Sequence, residues 1–209
     1  WAYLQKIAAE ADVIAALTAQ ALDAQRLQRW FSRIAAKGHQ DGTFRFKPAE
    51  GSNELLSPRS AKDDAKEDID RFFTPLAASS RGIAGVAWSV WRSALRRAAE
   101  NPENDSKGAD PDDVIRVLPL RELPLPSVPS LDRPAGAFVL HALMIHNGLP
   151  EKILPLVLPL GKDQIAKALL QLGSAGVVER RNRTWRVSAP AYPAVRSYLR
   201  DESYLTDSI

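Results

Sequence analysis

The chain has 209 residues, enough for one large or two small domains, and 45% of them are hydrophobic, enough to bury one or two cores. Its net charge of +3, from 28 basic and 25 acidic residues, is far from histone-like, so any nucleic-acid reading rests on where the charge sits. With no cysteine, disulfides, zinc ribbons and cysteine nucleophiles are excluded.

Residues 2–15 read as a short Ala-rich helix. Thr18 is the expected N-cap of a second helix running to about Ala36, with Leu27, Trp30, Phe31 and Ile34 at helical spacing and Gly38 ending it. Residues 39–60 look irregular, with a turn at Asp41-Gly42. Ser60 is expected to cap a third helix, which carries Asp63 and Asp64 in its first turn. Ile69, Phe72, Phe73 and Leu76 form its buried face, and 77–82 (AASSRG) break it. A fourth helix is expected from Ile83 to about Glu100, buried along Ile83, Val86, Ala87, Val90, Trp91 and Ala94. Residues 101–113 read as a solvated loop and VIRVLPL as a short strand. The four prolines at 124, 126, 129 and 134 exclude a regular helix there. The expected division is therefore 1–115, a Pro-rich linker at 116–133, and 134–209.

From Pro134 to Val187 the pattern is helix–turn–helix followed by a basic β-hairpin, which is the pattern of a winged-helix domain. The helices are AGAFVLHALMIHNG, LPEKILPLVLPL and GKDQIAKALLQLGSAG, and the hairpin is VVERRNRTWRV. Pro150 suits the first position of the second helix, and Pro155 then falls awkwardly in its interior. Ile165, Leu169, Leu170 and Leu172 are the expected buried face of the third helix. Lys162, Gln164, Lys167, Ala168 and Gln171 form the other face. Lysines and amides on a helix suit phosphates and base edges in a major groove. Arg180, Arg181 and Arg183 cluster at the hairpin tip around Asn182, although arginines on a hairpin also serve simply as a solvated, aggregation-resistant edge. From Pro134 onward there are nine basic and six acidic residues. AYPAVRSYLR reads as a closing helix and DESYLTDSI as a short frayed tail.

Independent catalysis is not expected. His39, His141 and His146 are the only histidines, and the last two diverge on a helix. The acidic run Asp63, Asp64, Glu67, Asp68 and Asp70 reads as a solvated face. No serine lies in a G-x-S-x-G elbow, and there is no glycine-rich phosphate cradle. No apolar run approaches the ~20 residues that span a bilayer, and no secretory signal is present, so a cytoplasmic protein is expected. The chain begins at Trp1 without methionine and reads as a piece of something longer.

LQRWFSRIAAKG, FFTPLAASSRGIAGVAWSVWRSAL and the 134–187 pattern together resemble the C-terminal part of large AAA+ ATPases. In these, a helical lid and then a winged helix follow the P-loop core. The second segment is similar to the lid pattern in which a serine-glycine turn starts a helix with an aliphatic-x-x-Trp-x-x-Ser stretch. The resemblance implies a mainly α protein, with a lid-like helical bundle followed by a winged helix. It also implies ATP and magnesium in the intact protein. No G-x-x-x-x-G-K-[ST] loop is present, so the ATP site lies outside this chain. The lid's sensor-arginine slot, lined up on GIAGVA, holds Gly85, and Arg81 is the substitute.

The expected function is thus the non-catalytic regulatory and nucleic-acid-binding region of an AAA+-type ATPase. Lys162, Gln164, Lys167 and Gln171 would face DNA, and Arg180, Arg181 and Arg183 would grip phosphates. The partners expected are DNA, the missing N-terminal ATPase domain or other protein subunits, with an oligomer among the expected assemblies. Two alternatives stay open. One is a scaffold whose winged helix docks a partner protein or neighbouring subunit through Trp185, Tyr198 and Tyr204. The other is a stand-alone transcriptional regulator.

Overall fold

The computed structural model describes residues 20–37, 44–49, 54–56, 63–97, 114–132 and 134–204. The expected first helix, Thr18, Gly38, the Asp41-Gly42 turn, Ser60, the 101–113 loop and residues beyond Tyr204 lie outside them, as does the Ile69 side chain. The described residues are mainly helical, with two small three-stranded sheets.

The first helix, α1 (Ala24–Lys37), starts where the Asp23 carboxylate accepts the backbone N–H of Arg26 at 2.7 Å. An Asx N-cap satisfies one of the orphan donors of the first turn. Leu27 and Phe31, one turn apart, are buried. The next helix, α2 (Asp63–Ser80), does not break at 77–82 as expected. It runs through Ser80, whose buried hydroxyl donates to the Leu76 carbonyl at 2.7 Å. The break is confined to Arg81 and Gly82, both at positive φ. Gly82 is required there, because an added Cβ would lie 2.5 Å from the backbone nitrogen of Leu22. The third helix, α3 (Ala84–Ala94), is shorter than expected. Its buried face is Val86, Ala87, Val90, Trp91 and Ala94, whereas Ile83 precedes it and is exposed.

The first unit adds a sheet to the helical bundle expected of 1–115, beyond the one short strand read at VIRVLPL. Residues read as irregular form β1 (Arg45–Pro48), and the expected tail of α3 is β2 (Leu95–Arg97). Both flank β3 (Val114–Val117), β1 parallel and β2 antiparallel, in the order β1-β3-β2. The strand β3 thus crosses the expected boundary at 115/116. Trp91 sits at the centre of this core, with ring centroids 5.1 Å from Phe31, 5.3 Å from Phe72 and 5.7 Å from Phe46.

The Pro-rich segment is packed at both ends. A 3-10 turn (Leu120–Glu122) leads to Leu123 and Leu125 on the first core, and Val128 and Leu131 lie on a second core. Leu131 covers Gly136 so closely that a Cβ there would clash with its Cδ1.

The second unit opens with α4 (Ala135–Ile145), apolar around most of its surface and buried from Ala135 to Leu143 except Phe138 and His141. Asn147 and Gly148 turn the chain at positive φ. Leu149–Pro150 then forms a short strand, β4, so Pro150 does not begin the next helix. That helix is the single turn α5 (Leu154–Val157), and Pro155 lies in its first turn, where a missing N–H breaks nothing. The helix α6 (Lys162–Ser174) follows, then the hairpin β5 (Val178–Arg181) and β6 (Thr184–Val187). The sheet order is β4-β6-β5, with both pairings antiparallel. The closing helix α7 (Tyr192–Asp201) buries Val195 and Leu199 in the second core, while Tyr192 packs against the first. Tyr204 does not fray: its ring is 5.5 Å from Phe138 and 5.7 Å from His141.

Candidate partner-binding groove

The buried face of α6 is Ile165, Ala168, Leu169 and Leu172. This is the i, i+3, i+4, i+7 pattern of a helix lying on a core. It corrects two expectations: Ala168 is 3% exposed and faces inward, while Leu170 is 74% exposed and faces solvent. The far side of α6 therefore carries Asp163, Ala166, Lys167 and Leu170.

Between α5, the start of α6 and the hairpin lies an open groove of about 650 Å³. Its apolar lining is Pro150, Pro155, Leu156, Ile165 and Ala166, and its charged lining is Lys152, Lys162, Arg180 and Arg183 with one carboxylate, Glu151. Each cation is held by a different device. Lys152 follows β4, and Lys162 is the first residue of α6. The backbone N–H of Gly161, just before it, donates to Gln164 Oε1 at 2.9 Å. Arg180 is opposite Trp185 across the hairpin, and its guanidinium carbon lies 5.9 Å from the indole centroid. That distance is within cation–π range. The indole in turn donates its Nε1–H to Glu151 Oε2 at 3.2 Å. Arg183 occupies the turn, where Asn182 and Arg183 have φ of 51° and 65°. Two successive positive φ values define the type I′ hairpin turn, which matches the strand twist.

The seven residues expected on a nucleic-acid surface are divided. Lys162, Arg180 and Arg183 line this groove. Arg181 neighbours Arg180 along β5, so strand alternation turns it to the opposite face of the sheet. Gln164, Lys167 and Gln171 line a second depression of about 240 Å³, beside Leu131, Asp132 and Pro134 of the Pro-rich segment. There Lys167 Nζ donates to Asp132 Oδ2 at 2.6 Å. Lys152, Glu151 and Leu156 were not singled out in the sequence. Reading Pro150 as the start of a helix put Glu151 and Lys152 on that helix and not at a groove wall.

Arg81, the candidate nucleotide sensor, is an exposed residue of the α2–α3 turn. The protein-docking candidates Trp185, Tyr198 and Tyr204 all pack against the second core, and Trp185 also contacts Arg180 and Glu151 of the groove lining. Among the described residues, no three His, Asp or Glu side chains converge as a metal site would require. No helix among them is long and apolar enough to cross a membrane. Compared with known proteins, the chain matches no family model, no curated protein and no solved structure.

Proposed function

We propose that this chain is the non-catalytic regulatory and binding region of a cytoplasmic AAA+-type ATPase. Residues 134–204 are read as a winged helix that docks an anionic partner. ATP and magnesium belong to a P-loop domain outside the chain, and Arg81 is its candidate sensor. The winged-helix reading is supported by the order helix, strand, two helices, hairpin and by the sheet order β4-β6-β5. The lid reading has narrower support, the glycine turn that starts α3 with Trp88 and Trp91, and it must accommodate the sheet β1-β3-β2.

The observation that carries the docking reading is the convergence of Lys152, Lys162, Arg180 and Arg183 on one groove. Cations gathered in a concave site raise the local concentration of an anionic ligand and speed its arrival. Calorimetric titration with heparin, a polyanion without base edges, tests this reading. The Lys162→Ala/Arg183→Ala double variant should bind roughly tenfold more weakly at low salt. Unchanged binding would remove the groove from the function.

A second reading, nucleic acid as the partner, is favoured by Arg180, Arg181 and Arg183 together on one hairpin. Replacing all three with alanine should then weaken DNA binding at every sequence and flatten its salt dependence. An unaltered salt slope would show that the hairpin does not touch phosphates.

A further inference from the structure

The groove is cationic, but its surroundings are not those of a surface that reads a duplex. Leu156 is 78% exposed, Leu170 74% and Val157 47%. Leu156 and Ala166 line the groove, and Leu170 lies one turn beyond Ala166 on the same stripe of α6. Base edges in a major groove are read mainly by hydrogen-bonding side chains. Along the outward stripe Asp163, Ala166, Lys167 and Leu170 of α6 the side chains are aliphatic or acidic, apart from Lys167, which is tied to Asp132. The amide oxygen of Gln164 is likewise engaged, by the Gly161 N–H. Large aliphatic side chains left in water beside a concave site mark a protein contact.

We propose that the groove receives an acidic amphipathic helix from a partner protein. Its apolar stripe would lie on Leu156, Ala166 and Leu170, and its flanking carboxylates would meet Lys152, Lys162 and Arg183. This rests on the reading of residues 134–204 as a docking module. Charge complementarity selects the occupant, because four cations face a single carboxylate, Glu151, already taken up by the Trp185 indole. A helix is the form that carries anchors at i, i+4 and i+7 on one side and acids on its flanks, matching an apolar floor with a basic rim. The exposed aliphatics make the proposal specific, since heparin or a phosphate backbone would leave them in water.

Selection of a random-peptide display library on the immobilised 209-residue protein tests it, with the Leu156→Ser/Leu170→Ser variant as counter-target and mixed-sequence duplex DNA titrated in parallel. Both leucines are solvent-facing, so the variant should fold as the parent does. The expected result is enrichment of peptides pairing Asp and Glu with apolar residues three or four apart. Their affinity should fall at least tenfold both in the leucine variant and in Lys152→Glu/Lys162→Glu, with DNA binding weaker than peptide binding. Tight DNA binding that ignores the leucine variant would overturn the acidic-helix proposal and leave the anionic-docking reading standing. No enrichment and no DNA binding would overturn both.

Discussion

Arg183 is the residue whose backbone argues most directly for its side chain. The second position of a type I′ turn favours glycine, and a side chain held in the left-handed region costs about 1 kcal/mol. Retaining arginine at φ 65° on the groove wall favours a role for the cation. Arg183→Gly should therefore leave the protein equally stable, or up to about 1 kcal/mol more stable, in urea unfolding, while weakening heparin binding. Loss of stability would show that the arginine serves the fold. Gly82→Ala is the opposite case. Positive φ and a Cβ pressed onto the Leu22 backbone should cost more than ~2 kcal/mol in the same measurement. At this scale the sequence was legible where several signals agreed. Ile165, Leu169 and Leu172 were identified by spacing. Leu170 was assigned to the core by its hydrophobicity and Ala168 to the surface by its small size, although the period of 3.6 puts each on the other side. Lys167 was read correctly as surface, but no local pattern announced Asp132, thirty-five positions away, as its partner.

Among the elements, those with strong local signatures were legible. The helices α4 and α6 and the β5–β6 hairpin carry apolar periodicity, glycine stops and a two-residue turn. The strands β1 and β2 were not, for a physical reason. LRR is short and without alternation, and the alternation of Phe44 and Phe46 with Arg45 and Lys47 spans too few residues to mark a strand, so β1 forms where β3, Arg45 against Val114, is brought alongside it in parallel. Pairing of that kind depends on chain closure over a long loop, which no local window contains. The end of α3 follows from the same sheet: Leu95 pairs with Val117, and the Leu118 N–H donates to the Ala94 carbonyl at 2.9 Å. Trp91 locks these elements together, since its ring meets aromatic side chains from α1, β1 and α2. Trp91→Ala should destabilise by about 3–5 kcal/mol and abolish much of the near-ultraviolet circular dichroism. A loss below 1 kcal/mol would mean that the sheet and helices are not joined through this residue. The groove was the least legible feature, because its walls come from β4 and the turn after it, α5, α6 and the β5–β6 hairpin, and one of these, α5, is a single turn.

For the whole molecule, the two cores are tied by more than chain continuity. Tyr192 belongs to the closing helix of one and packs on the other, and the Pro-rich strap has apolar side chains in both. Tyr192→Ala should separate a single urea transition into two, read by fluorescence of Trp88 and Trp91 on one side and Trp185 on the other. A transition that stays single and coincident would show that contacts other than those of Tyr192 couple them.

That strap also limits how the protein can be divided. Val128 and Leu131 cover the second core from outside the 134–209 division, with Leu131 directly on Gly136, and Pro126 approaches Gly176. A cut at Pro134 would strip this cover and expose fresh aliphatic surface, so a fragment starting there should aggregate. One starting at Pro126 should stay monodisperse in light scattering. Any tag, linker or fusion joint intended for the second unit belongs before Pro126, even though the run of prolines marks a later boundary to the eye.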